Sequence, residues 1–334
     1  MLLCNLSPQE QRDVFSEIGR LKHISAEAVE KDWWVSIILK VLFTSKYAPY
    51  LLFKGGTSLS KGWHLIERFS EDIDIAIDRV FLGYEGELSK NQVSDRLRRS
   101  SCNFVRTKLK EAIEKALLEI QIPQKCFDIH TISSSISTVD PETIIVEYFS
   151  VYSQSFSYTS SRVLIEAGAR SMISPYELKP IQSFVSDYFP EKPFADIPFY
   201  ARVAPAERTF LEKLFLLHEE FHKPIEKIRF YRMSRHLYDI ERMMNTPISQ
   251  IALTDKVLYK EVVEHRQHFI GLRGFDYDSL YPSLLNFIPP KSVLDYWEKD
   301  YRAMQENIIY GESLEFNVLI HQLKTLNEKF RGII

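Results

Sequence analysis

Asp72 and Asp74 stand two residues apart in an apolar run, Asp72-Ile73-Asp74-Ile75-Ala76-Ile77. Strand side chains alternate between faces, so the two carboxylates share one face while Ile73, Ile75 and Ile77 share the other. Like charges this close repel unless a cation lies between them, and oxygen ligands favour magnesium. Upstream, the short apolar run Leu51-Leu52-Phe53 enters a turn, Gly55-Gly56-Thr57-Ser58, that feeds a short amphipathic stretch. Backbone N–H groups and hydroxyls at such a turn offer an anion a cradle. Glycine there allows the close approach that a side chain would block. An anion cradle beside a paired-carboxylate cation site is what a metal-bound nucleoside triphosphate needs. Each element is common alone; their ordered combination carries the signal.

Chemistry on a metal-bound triphosphate can use two divalent ions about 3.5–4 Å apart to stabilise the attacking and leaving oxygens. A third carboxylate is then expected from a neighbouring strand. Glu166, in Arg162–Ala169, alternates against Val163, Ile165 and Ala167 and fits this role. Glu147, in Thr143–Phe149, is the competing candidate, and the residue pattern does not separate the two. Lys54 and Arg68 lie near the glycine turn, where they could offset phosphate charge or simply be solvated. Arg96, Arg99, Arg106 and Lys110 fall along one face of a helix and could track an RNA backbone. A solvated helix face is the alternative. His64, His218 and His236 show no metal spacing, and Trp33 and Trp34 read as core.

These residues need a framework to hold them. Ser7-Pro8 starts a first helix, and Ser25 caps a second over about 26–43. Residues 89–120 read as one long amphipathic helix, and 143–149 and 162–169 as strands. Ser174-Pro175 and the proline-bearing stretch Pro190–Pro205 interrupt regular structure and mark a boundary. Beyond about residue 200 the pattern is helical, over 206–222, 226–244, 255–270, 292–307 and 312–330. The expectation is an α+β domain over 1–200 and a helical C-terminal domain over 201–334. On the helix of 206–222, Phe210, Leu214, Leu217 and Phe221 form the core stripe, with Lys213 at its edge, where a lysine can snorkel. Asp239 lies in an arginine row with Arg232, Arg235 and Arg242, where it would pair with Arg235 at i,i+4.

Net charge is −3, so any nucleic-acid contact must come from local patches. Three widely spaced cysteines argue against a disulfide framework. No apolar stretch approaches the roughly 18 residues of a membrane span, and the N-terminal run is too short for a signal peptide. The expected location is the cytoplasm.

Together, GGTSLSKGW and RFSEDIDI (residues 55–63 and 68–75) resemble the signature of the AbiEii/AbiGii toxin family, a branch of the nucleotidyltransferase superfamily. EKDWW (30–34), LIEAGAR (164–170), EKLFLLH (212–218) and RHLYDI (235–240) resemble its other blocks in the same order. The resemblance spans about residues 26–245. It implies a polymerase-β-like nucleotidyltransferase mixed sheet with helices, and a toxin role in toxin–antitoxin or phage-defence pairs. Some members add nucleotides to tRNA acceptor ends. The resemblance therefore implies NTP and tRNA as partners, a cognate antitoxin encoded alongside, and Mg2+ as cofactor, with Mn2+ as the alternative ion. It favours Glu166 over Glu147 as third metal ligand beside Asp72 and Asp74. It counts Lys213 among the catalytic residues as a triphosphate contact and places Asp239 in the active-site cleft. Gly55, Gly56, Thr57 and Ser58 would bind the β/γ-phosphates, with Arg68 offsetting their charge. Nucleotidylation of a protein hydroxyl, and an NTP-binding module acting through a partner without turnover, are the rival readings. One departure stands out: fifteen residues, 57–71, separate Gly56 from Asp72, slightly more than the superfamily usually allows.

Overall fold

A computed structural model describes residues 2–70, 72–132, 142–152 and 160–332. It is an α+β structure whose chain divides into two compact units, 1–63 with 69–204, and 64–68 with 205–334.

The first unit is built on a seven-stranded mixed sheet. Its strands are β1 (Leu51–Lys54), β2 (Asp72–Ile77), β3 (Phe127–Ile132), β4 (Glu142–Tyr148), β5 (Arg162–Gly168), β6 (Glu177–Ile181) and β7 (Phe199–Val203). Their order is β3-β4-β5-β2-β1-β7-β6. β2 lies parallel to β5 and antiparallel to β1, so the carboxylate strand sits mid-sheet. Its Ile73, Ile75 and Ile77 are buried, as are Val163, Ile165 and Ala167 of β5 and Ile144, Val146 and Tyr148 of β4. Helices α1 (Pro8–Lys22), α2 (Ala26–Thr44), α3 (Gly55–Lys61), α4 (Arg98–Phe104), α5 (Lys110–Glu119) and α6 (Phe184–Tyr188) belong to this unit. α2, α4 and α5 pack on the buried sheet face. α2 is buried nearly all round because α1 and α6 pack on it in turn. Trp33 and Trp34 are core residues, and the Trp34 ring stacks on Tyr148 at 5.2 Å. The expected long helix over 89–120 is present, with wider π-helical turns at Gln92–Leu97 and Val105–Leu109.

β7 lies in the proline-bearing stretch expected to be irregular, and β3 and β6 were likewise not expected as strands. β6 holds Pro180 because it is the sheet's edge, where a missing N–H costs no ladder bond.

The second unit is helical: α7 (Ala206–Phe221), α8 (Arg235–Met244), α9 (Pro247–Thr254), α10 (Lys256–His265), α11 (Leu294–Asn307) and α12 (Phe316–Arg331). The single helix expected over 226–244 is instead a helix only from Arg235. Asp300 of α11 accepts from the N–H groups of Arg232 and Ser234 at 2.6 and 3.0 Å, and Arg232 takes a left-handed φ of 58°. That remote carboxylate satisfies donors that an unbroken helix would have used. The helix expected over 255–270 is present, α-helical over Lys256–His265 and π-helical over Arg266–Ile270, and α9 precedes it, capped by Thr246.

Candidate active site

The alternation along β2 sets the first part of the site. Asp72 and Asp74 are both half-buried and lie on the sheet face opposite the one that α2, α4 and α5 cover. Asp74 is level with Glu166 on β5 and with Lys54 on β1, and Asp72 is level with Leu164. Level neighbours on adjacent strands lie about 4.8 Å apart. Three carboxylates, Asp72, Asp74 and Glu166, therefore converge in two adjoining rows, with one lysine beside them. Glu147 shares this face but is level with Arg162, two residues along β5 from Leu164 and four from Glu166. It joins Asp128 and His130 instead, and the ligand atoms of these three lie within 4.8 Å of one another. His130 lies between the two carboxylates, with Nδ1 4.0 Å from Asp128 and Nε2 4.0 Å from Glu147.

The glycine turn reaches the carboxylates directly. Gly55 has a left-handed φ of 76°, and a Cβ placed on it would lie 1.9 Å from Asp74 Oδ2. The Asp74 carboxylate thus occupies the space that a side chain at position 55 would need. Thr57 and Ser58 are buried, and their hydroxyls donate to the backbone: Thr57 to the Asp72 carbonyl at 2.5 Å, Ser58 to that of Gly55 at 2.9 Å. Thr57 thereby ties the turn to the start of the carboxylate strand. α3 is pinned at its far end by Lys61, whose ammonium meets buried Asp32 of α2 at 2.5 Å. Asp32 is thus a support for α3; it also accepts the Phe184 N–H at 2.8 Å. Burial raises the Asp32 pKa, against the pull of the Lys61 charge.

Gly55→Ala would force both a strained φ and a collision with the Asp74 carboxylate. Transfer should fall about 100-fold, the loss typical of a misplaced reacting group. Stability should fall by about 1–3 kcal/mol. Gly83→Ala is the control: Gly83 also has a left-handed φ, 87°, but nothing within 4 Å of an added Cβ. It should lose stability alone, as activity and melting temperature measured side by side will show.

Lys213 and Asp239 belong to the second unit, and the structure joins them there with Arg68. Asp239 is 0% exposed, Arg68 3% and Lys213 6%. Arg68 grips Asp239 with two bonds, Nε to Oδ1 at 2.6 Å and Nη2 to Oδ2 at 2.7 Å. Lys213 Nζ lies 2.8 Å from the same Oδ2. Arg68 is therefore no solvated surface cation, and Asp239 pairs with Arg68 and Lys213 from remote segments. Burial would raise the Asp239 pKa, but Arg68 and Lys213 overcome it and hold the carboxyl well below its usual range. Burial, with the charges of Arg68 and Arg235, lowers the Lys213 pKa against the opposing pull of Asp239. The 64–68 segment is placed by its backbone: Arg68 bridges to Ile309, and Glu67 accepts from the N–H groups of Tyr310 and Gly311. Sequence reasoning missed the Arg68–Asp239 and Lys61–Asp32 pairs. The overlong gap between glycine turn and aspartates was the available signal for the first; nothing in spacing signals the second.

The basic stripe sits on the helices covering the other sheet face, away from Asp72, Asp74 and Glu166. Three of its four cations have acidic neighbours: Arg99 with Asp95 at 2.8 Å, Arg106 with Glu142 at 2.8 Å, and Lys110 with Glu114 at 4.0 Å. Glu142 is 2% exposed, so Arg106→Ala should cost about 1–3 kcal/mol by leaving a buried carboxylate unpaired. Arg99→Ala should stay within about 0.5 kcal/mol. Neither should change RNA affinity or its salt slope. A weaker, flatter salt dependence in both would return the stripe to RNA binding.

No helix among the described residues is long and apolar enough to cross a membrane. The family described as "Nucleotidyl transferase AbiEii toxin, Type IV TA system" matches residues 37–330. No curated protein matches the chain. Among solved structures, the chain is similar to JHP933 from Helicobacter pylori, with 16% identity over 92% of this chain and 93% of that one, at a TM-score of 0.43. It is also similar to MenT4, a nucleotidyltransferase toxin from Mycobacterium tuberculosis, with 14% identity over 96% and 98% and a TM-score of 0.42. The chain belongs to the AbiEii family of nucleotidyltransferase toxins, of type IV toxin–antitoxin systems.

Proposed function

We propose that this nucleotidyltransferase moves a nucleoside monophosphate from an NTP to the 3′ end of a tRNA in a metal-dependent reaction that releases pyrophosphate. The acceptor hydroxyl oxygen bonds to the α-phosphorus, the α–β bridging P–O bond breaks, and pyrophosphate carries away the electron pair. The hydroxyl proton goes to solvent or a neighbouring carboxylate. The observation that carries the reading is the set of three carboxylates, Asp72, Asp74 and Glu166, on one sheet face, with Asp74 filling the space that Gly55 leaves.

The donor set fits a hard divalent cation, since all three groups offer anionic oxygen. Asp72, Asp74 and Glu166 would hold Mg2+, or Mn2+ in its place. Bound there, the ion would neutralise charge building on the triphosphate oxygens. The chain's own residues do the rest. Gly55 and Gly56 let the triphosphate approach the backbone, while Thr57 and Ser58 keep the turn in shape through their backbone bonds. Lys54, level with Asp74, offers a positive charge on the same face. Lys213 would supply charge to the triphosphate; Asp239 pairs with Lys213, and Arg68 acts only through its bonds to Asp239.

Capping a tRNA 3′ end would block aminoacylation and arrest growth, which suits a toxin held in check by a cognate antitoxin and a role in phage defence in the cytoplasm. The test is pyrophosphate release with Mg2+ and each NTP, with and without total tRNA. Release that requires tRNA supports the reading. Release driven by a protein acceptor, or NTP binding without release, would replace it.

A further inference from the structure

Asp239 is buried completely, and both of its oxygens are occupied: Oδ1 by Arg68 Nε, and Oδ2 by Arg68 Nη2 and Lys213 Nζ. A group placed this way is poorly suited to take a proton. General bases work with a pKa near the operating pH, whereas two adjacent cations hold this carboxyl well below the carboxylate range against burial. The same contacts suit a different task. Lys213 is 6% exposed, and an ammonium at that depth loses its charge unless an anion faces it. Around it stand Asp239, Arg235 and His236 of α8, and Arg68 of the 64–68 segment. Burial, Lys213 and Arg235 keep His236 neutral, with its pKa well below the usual value. Asp239 is thus the one anion among these groups.

We propose that Asp239 is a positioning residue: its carboxylate, clamped by Arg68, holds Lys213 in place as a charged ammonium for the triphosphate and does not itself receive the acceptor's proton. The proposal rests on the nucleotidyl-transfer reading above. It gives Arg68 a role through Asp239 rather than on phosphate. It also gives a purpose to the extra residues between glycine turn and aspartates, which carry Arg68 into the second unit.

Removing either neighbour should move the Lys213 ionisation in opposite directions. Asp239→Asn removes its counter-ion, so the midpoint falls by more than about one pH unit. Arg68→Met removes a repelling charge, so the midpoint rises. The readout is the pH titration of the Lys213 ε-carbon signal in the full-length, selectively labelled protein, assigned by its loss in Lys213→Arg. Transfer is followed over the same range. For Asp239→Asn, activity should drop most at alkaline pH and recover as the pH falls, to within about 10-fold of wild type. A catalytic base would instead show the same loss at every pH. A merely structural residue would lower the melting temperature without moving the pH profile. If Asp239→Asn fails to fold, the upward shift in Arg68→Met decides the matter. Unchanged Lys213 midpoints in the folded variants overturn the proposal. A wild-type protein that transfers nothing to any RNA would sink the transfer reading, while the titration still decides the role of Asp239.

Discussion

Asp74→Asn should remove about 10³-fold or more of transfer and leave the protein folded. The carboxylate does its work on charge that builds in the transition state, where a preorganised electrostatic contact is worth a few kcal/mol. Its structural contribution is small by comparison: Asp74 is half-buried, and the strand is held by Ile73, Ile75 and Ile77 on the other face. Neutralising one of two crowded carboxylates also relieves repulsion when no cation is bound. Melting temperature without Mg2+ should hold or rise slightly, for Asp74→Asn and Asp72→Asn alike. With Mg2+, the wild type should gain stability that the variants lack, because ligand binding stabilises only a state that binds it. Full activity in either variant would remove these aspartates from the site.

Asp239→Ala should be the most destabilising of the single substitutions considered. An exposed pair with Arg235 would be worth well under 1 kcal/mol. The structure replaces that expectation with a buried carboxylate facing Arg68 and Lys213. Deleting it leaves two buried cations without an anion, at a cost of about 3–5 kcal/mol. In a chain this size that corresponds to roughly 5 °C in melting temperature. Adding Arg68→Met should recover part of the loss, since one of the two stranded charges then disappears. A loss below about 1 kcal/mol in Asp239→Ala alone would mean that the cluster is solvated.

The residues whose placement depends on local pattern were legible. Alternation along 72–77 and 162–168 puts Asp72, Asp74 and Glu166 on one face, and the sheet register does so. The helical period likewise picked out Phe210, Leu214, Leu217 and Phe221 as a buried stripe. What pattern could not show were the partners from remote segments. Nothing near Asp239 in sequence announces Arg68, 171 positions away, and an i,i+4 arginine offers a plausible wrong partner. Asp300, which breaks the helix expected over 226–244, is likewise remote, 68 positions from Arg232. The edge strand β6 was hidden by its own proline, and β7 by the prolines that flank it. The choice between Glu166 and Glu147 was open on pattern alone, and strand register separates their positions: only Glu166 is level with Asp74.

The central claim is that Asp72, Asp74 and Glu166 support metal-dependent transfer of a nucleotide to tRNA. The most direct measurement incubates the full-length protein with each α-labelled NTP and total tRNA, with Mg2+ or with EDTA, and maps the label on the RNA. The account predicts label at tRNA 3′ ends, formed by the wild type with Mg2+ and absent with EDTA or with Asp74→Asn. Label that persists at wild-type level in Asp74→Asn or in EDTA, or no labelled RNA from any NTP, would contradict it.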